Sequence, residues 1–250
     1  AALDAQNAAP NSFVCWHYTP DENDTAPVTA AAENRPQSGL ARLWLDCLLA
    51  MPWNKLYRTA YARQVQFDRQ YTLGEDLQFV LDYVKLLGKT TPDFAYTALT
   101  APLTFYDCSR GGTLSTRYHA DYCKIWPEHF AKLNRACNAA HCPQEDMRPL
   151  HRAELTVFAE GVADILRRDP AKSARVRRDK AIAALRSPWM HALLERMKIE
   201  GAYSAYYLPC RWHSTRLIWA LAEAKRTGSP LYGKLDWAGY YLLRGKMRRD

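Results

Sequence analysis

The sequence reads as an α/β chain that grades into a mainly α-helical one, and three observations predict this. Ser12-Phe13-Val14-Cys15-Trp16-His17-Tyr18 alternates and is rich in β-forming residues, the pattern of a strand. Leu73, Leu77, Val80, Leu81, Val84 and Leu87 recur at spacings of three and four, which commits one face of a helix to a core. From Tyr118 onward the chain becomes helical, studded with aromatics, and basic.

Taken in order, Leu3 to Ala8 reads as the tail of a helix before the strand at 12–18. Thr19 to Ser38 is acidic, rich in Ala, Thr and Pro, and without periodicity, so a mobile loop is expected. Leu40 to Ala50 turns helical, with Leu40, Leu43, Trp44, Cys47 and Leu48 on one side. Met51-Pro52 ends it, because proline cannot continue a helix and restrains the residue before it. The next helix opens on Gly74-Glu75-Asp76 and is expected to stop at Gly88. Two short extended pieces at a sheet edge follow, Phe94 to Tyr96 and Leu103 to Tyr106, around Ala101-Pro102. Helices are then expected over 121–140, 148–168, 171–185, 188–198 and 211–225.

At 250 residues, with 48% hydrophobic and 24% charged side chains, the chain has the size and composition of one large or two small folded domains. No apolar run approaches the ~18 residues of a membrane span. Its seven cysteines never form a Cys-x-x-Cys pair, which suits free thiols in a reducing compartment and a cytoplasmic location. Cys137, His141 and Cys142 lie close together, but no second ligand pair stands at finger-like spacing, so they read as thiols and not as a zinc site.

Charge is segregated. Residues 151–250 hold 20 Lys+Arg against 10 Asp+Glu; with 34 and 26 in the whole chain, 14 and 16 remain before them. The basic half bears no helix-turn-helix, zinc-finger or RNA-recognition fingerprint, so nucleic acid is not an expected partner. Leu235 to Arg249 carries aromatics and leucines followed by a basic cluster. This reads either as a segment on the inner face of an anionic membrane or as a docked terminal helix with a solvated basic end.

Glu75 and Asp76 fall in a first helical turn, where unpaired N–H groups and the helix dipole favour carboxylates. Periodicity alone leaves two readings open: acids that complement the dipole, or an ionised group aimed at a cleft. Trp53 and Asn54, at a break between elements, read equally as packing and capping residues. Arg110, on a glycine-containing turn, reads as a solvated arginine or as a fork of donors for phosphate oxygens.

Residues 53 to 83 carry a more specific signal when read together. Trp53-Asn54-Lys55-Leu56-Tyr57, then Phe67-Asp68, then Leu73-Gly74-Glu75-Asp76-Leu77-Gln78-Phe79 resemble the acceptor half of inverting, family 2 glycosyltransferases with the GT-A fold. Asp107 to Tyr118 is similar to the segment that closes their catalytic domain, with Thr113 in place of the first serine of a Ser-x-Ser and Ser115 as the second.

The resemblance implies that residues 1–117 form the acceptor-side half of a Rossmann-like GT-A sheet and that 118–250 form a basic helical subdomain. It implies Asp76 as the catalytic base with Glu75 beside it, and Trp53, Asn54, Lys55, Arg110 and Ser115 as substrate-binding residues, with Trp53 an apolar wall and Asn54 a hydroxyl partner for the acceptor. The complete enzyme would transfer a sugar, with inversion, from a nucleotide-sugar to a glycan or lipid-linked acceptor in polysaccharide biosynthesis, with Mn or Mg holding the diphosphate. No Asp-x-Asp stands on a strand end here, so the metal ligands and the donor-binding strands are expected outside this chain, which alone would be inactive. The rival from another class is a non-catalytic, basic helical interaction or scaffold module whose Gly-Glu-Asp segment is only structural.

Overall fold

The computed structural model describes residues 1–9, 11–20, 31–107, 117–171 and 173–246, with side chains as far as Tyr241. Its architecture is mixed α/β with a small sheet and many helices. A helix α1 (Ala2–Ala8) leads into strand β1 (Ser12–Thr19). Strand β2 (Ala32–Arg35), a single 3-10 turn and helices α2 (Leu40–Leu45) and α3 (Thr59–Ala62) follow. Then come helix α4 (Glu75–Thr90) and strand β3 (Ala95–Phe105). The remaining helices are α5 (Tyr122–Ala139), α6 (Gln144–Arg168), α7 (Ala174–Leu185), α8 (Pro188–Glu200), α9 (Tyr207–Arg211), α10 (Thr215–Arg226) and α11 (Pro230–Lys246).

By internal contacts the chain forms two compact units: Ala1–Arg117 with Glu128–Asp146, and Tyr118–Pro127 with Met147–Asp250. The division therefore passes through α5 and α6, each of which contributes residues to both units.

In the first unit the sheet order is β1-β3-β2. β1 runs parallel to β3, from Ser12 opposite Ala95 to Trp16 opposite Leu99, and β2 lies antiparallel on the other side. The sequence suggests two edge pieces here, yet β3 is one strand and the middle one. The reason lies at Pro102. Its register with β1 slips on both sides of His17, which faces Pro102, so β3 bulges where proline has no N–H to donate. β2 also corrects the expected loop over 19–38: its polar residues find partners on β3 that local sequence does not reveal. One such partner is Thr97, whose hydroxyl donates to Asn34 Oδ1 at 2.8 Å.

α4 covers the sheet. Leu77, Val80, Leu81, Tyr83, Val84 and Leu87 are buried, and Phe13 of β1 packs on Tyr83 with ring centroids 5.3 Å apart. The helix continues past Gly88, the expected stop, to Thr90, where the Thr91 amide closes the last turn by donating to Leu87 O at 2.8 Å. α2, in contrast, ends at Leu45, short of the expected Ala50; Cys47 adopts a left-handed φ of 58° and turns the chain.

In the second unit, Leu155, Phe158 and Val162 of α6 meet Met190 and Leu193 of α8, Tyr206 before α9 and Ile218 of α10 in one core. Gly161 is required there, because a Cβ at that position would come within 2.3 Å of the Tyr122 ring. The helix expected over 211–225 is α10, which starts later, at Thr215, because His213 with φ 52° turns the chain between α9 and α10. Buried Asp169 follows α6. It accepts from Lys180 Nζ at 2.8 Å, Tyr118 Oη at 2.6 Å and the Ala171 amide at 2.9 Å. These donors lower its pKa from 3.8 to about 2.

That shift sets an acid-stability signature. The folded pKa lies below the unfolded one, so the stabilisation is complete above pH 4 and is lost as pH falls toward 2. Asp169→Asn should lower the melting temperature at pH 7 and flatten its fall between pH 4 and 2. Parallel melting curves for the variant and the wild type across that window would rule the network out as an acid-labile clamp.

Candidate active site

The site is built from the free edge of β1 and the start of α4. On that edge Trp16 N donates to Asn54 O at 3.1 Å, Leu56 N donates to Val14 O at 3.0 Å, and Cys15 lies opposite Lys55. Residues 54–56 thus add a short antiparallel rung to the sheet. The side chain of Asn54 is fully buried: its amide donates to Trp16 O at 2.9 Å, and its Oδ1 accepts from Lys55. It faces the framework and not a cleft.

Lys55 is also buried, and its ammonium donates to the Met51 carbonyl, closing the turn that carries Trp53. Burial pushes its pKa down to about 7, against the opposing pull of Cys15 and Asp76. Burial likewise raises the Cys15 thiol to about 11, with Lys55 pulling the other way. Tyr57 is raised by burial first and then by Tyr83, Asp76 and Cys15; its hydroxyl is buried without a hydrogen-bond partner among the described residues. The part Cys15 plays was not identifiable from sequence, because the pairing of 54–56 with β1 has no local signal.

Asp76 sits in the first turn of α4, with Glu75 beside it. Burial, then Glu75, raises its pKa, and Lys55 partly offsets this. The helix start is fixed by an unusual lock. Gly74 takes φ 77°, a left-handed conformation natural to glycine, and a Cβ there would lie 2.3 Å from His129 Nε2. That nitrogen donates to Leu73 O at 2.7 Å, and Nδ1 accepts from the Gln78 amide. Burial lowers the His129 pKa, consistent with this neutral tautomer.

Trp53 does not stand alone. Its indole stacks on Tyr106 at 5.1 Å and 7°, and Tyr18 meets it edge-on at 5.3 Å. Tyr18 and Tyr106 are 36% and 40% exposed, so the trio forms an aromatic surface beside the Lys55 turn. Both tyrosines come from neighbouring ends of β1 and β3, where Tyr106 N donates to Thr19 O at 2.9 Å. Phe67 stacks on Phe79 at 4.4 Å, and its partner Asp68 accepts from the Gln70 backbone at 3.0 Å. Arg110 and Ser115 lie outside the described residues.

Among the described residues no three His, Cys, Asp or Glu side chains gather to hold a metal ion, and Glu75 with Asp76 alone does not make a cation site. The six described cysteines are free thiols. Also among the described residues, no helix is long and apolar enough to cross a membrane. No family model matches the chain, and neither a curated protein nor a solved structure matches it.

The buried ammonium gives a measurable prediction. Its folded pKa of about 7 lies below the 10.5 of an unfolded lysine, so the unfolded state binds more protons between them and stability rises with pH across that window. Lys55→Met removes this titration, so its stability relative to the wild type should fall as pH rises from 7 to 10, on top of the constant loss of the Met51 and Asn54 hydrogen bonds. Chemical denaturation at four pH values tests this; a constant difference would mean that Lys55 stays protonated.

Proposed function

We propose that this chain forms the acceptor side of an inverting nucleotide-sugar glycosyltransferase, with Asp76 as its base. The observation that carries the reading is a half-buried first-turn carboxylate with increased proton affinity, within electrostatic reach of Lys55 on the segment that also bears Trp53. Asp76 takes the proton of an acceptor hydroxyl while that oxygen attacks the anomeric carbon in line. The new carbon–oxygen bond forms as the bond to the nucleotide diphosphate breaks, and the sugar inverts. A raised pKa strengthens the base, and the adjacent Lys55 charge favours its ionised form. The Trp53–Tyr106 surface offers flat apolar rings to the C–H face of a sugar. A divalent cation and the nucleotide would be held by residues outside those described, and no step here is assigned to them.

The test uses this chain joined to a donor-binding half, with turnover and melting temperature measured together. Asp76→Asn should cut kcat about a hundredfold or more, the usual worth of a positioned base, while the melting temperature holds or rises because a half-buried charge is removed. Glu75→Gln should be milder. Wild-type turnover in Asp76→Asn would return the acidic pair to ordinary helix-start chemistry.

A second reading, a non-catalytic module at an anionic membrane, has its own observation in the second unit. Trp212, Leu217 and Leu235 line an apolar groove of about 600 Å³, and Trp212 and Trp237 are each 63% exposed near Arg211, Arg216 and Lys234. α11 itself is docked: Asp236 accepts from Arg152 at 2.6 Å and from the Ala205 amide at 2.9 Å. This reading requires cosedimentation with phosphatidylglycerol vesicles that salt releases and that Trp212→Ala with Trp237→Ala weakens. A chain that ignores such vesicles at low salt removes it.

A further inference from the structure

The end of α5 sets two cysteines against each other. Cys142 N donates to Cys137 O at 3.0 Å, His141 N donates to Asn138 O at 3.1 Å, and His141 takes a left-handed φ of 54°. These are the two bonds and the left-handed residue of a Schellman helix ending. The residues that make its outer bond frequently touch through their side chains, and an apolar pair is the usual occupant. Here both positions are thiols, and Pro143, next in the chain, cannot continue the helix.

The two sulfurs differ in their surroundings. Cys137 is fully buried, on the face of α5 that also buries Phe130 and Leu133. Cys142 is only partly buried. Its sulfur accepts a hydrogen bond from the Cys137 thiol and others from the amides of Ala41 and Leu40. The Cys137 bond first, then those amides, lower its pKa to about 7 against the opposing effects of burial and Asp146. Burial raises the thiols of Cys15, Cys123 and Cys210 instead, so the local geometry singles out Cys142. Among the described residues no third metal-ligating side chain joins the pair, and two thiols alone do not complete a metal site. A partly exposed thiolate with a second thiol already hydrogen-bonded to it is the arrangement of a redox-sensitive pair.

We infer that Cys137 and Cys142 form a reversible oxidation site: Cys142 reacts with a hydroperoxide, and Cys137 resolves the product as an intramolecular disulfide. In the first step the Cys142 thiolate attacks the peroxide. A sulfur–oxygen bond forms, the oxygen–oxygen bond breaks, and the departing hydroxide or alkoxide takes a proton from solvent. In the second step the Cys137 sulfur attacks the Cys142 sulfenic acid. The sulfur–sulfur bond forms, the sulfur–oxygen bond breaks, and hydroxide leaves as water with the Cys137 proton. The two thiols lose two electrons and the hydroperoxide gains them; a small dithiol reverses the change by exchange. Neither cysteine belongs to the Asp76 site, so the inference does not rest on the glycosyltransferase reading.

The test exposes the intact, reduced chain to a small excess of hydrogen peroxide at pH 7, followed by iodoacetamide in urea and tryptic mass spectrometry. Both cysteines, and no other, fall in the peptide 136–152. That peptide should lose two hydrogens and refuse both alkyl groups, should accept both after dithiothreitol, and should change before the exposed Cys47 does. Cys137→Ser should leave Cys142 as a sulfenic acid that dimedone traps, whereas Cys142→Ser should leave Cys137 reduced. Loss of the Cys142 thiol should be about threefold or more faster in the folded chain than in urea, because its greater thiolate fraction outweighs its lower nucleophilicity. The wild-type peptide gives its answer even if a serine variant does not fold. Two alkyl groups still accepted after peroxide would overturn the inference, as would a reaction equally fast in urea. A dimedone adduct that accumulates on wild-type Cys142 without a disulfide would overturn the role of Cys137.

Discussion

The geometry of the candidate site depends on the contact between His129 and the turn before α4. The imidazole fills the space that any side chain at residue 74 would need, and its two nitrogens hold the Leu73 carbonyl and the Gln78 amide. With the Gln78 amide donating to it, the ring has one nitrogen donating and the other accepting, and burial lowers its pKa in the same sense. The left-handed Gly74 then starts the helix at Glu75, and Asp76 follows in the first turn. A helix entered one residue earlier or later would rotate each acid by about a hundred degrees. The lock thus decides which of two adjacent carboxylates lies within reach of Lys55.

The second constraint is electrostatic. Lys55 serves the framework, because its ammonium closes the turn at Met51 and holds Asn54, which in turn holds the backbone of Trp16. The same burial that makes those hydrogen bonds strong lowers the cost of losing its proton. One side chain therefore shapes the segment bearing Trp53 and sets the charge beside Asp76. Position and proton affinity cannot be altered independently there.

How far the sequence disclosed this follows from the range of each interaction. Periodicity of three and four marked α4 and its buried face, and alternation marked β1, because those patterns are local. The middle position of β3 was hidden by Pro102, which ordinarily signals an edge; only the slipped register opposite His17 reconciles a proline with an inner strand. β2 was hidden because its pairing with β3 lies across more than sixty residues and its own pattern is polar. At the site, Trp53, Asn54, Lys55, Glu75 and Asp76 could be singled out by order and type. The partners that give them their character, Cys15, Tyr18, Tyr106 and His129, come from distant strands and a later helix.

Two aspartates in the chain respond to their surroundings in opposite directions. Asp169 shows what a buried acid looks like when its role is to hold the fold: three donors surround it and its pKa falls. Asp76 shows the opposite sign. It is half-buried, and its pKa rises because desolvation and Glu75 outweigh Lys55. Glu75 lies on the wrong side of the balance, since a second acid makes ionisation harder. An asparagine at 76 would suit the first turn of α4 without a buried charge. Two adjacent acids, one of them pushed toward protonation, cost the fold stability at this turn. The two aspartates, in one chain and under the same physical rules, differ in sign because donors surround one, while burial and a second acid bear on the other.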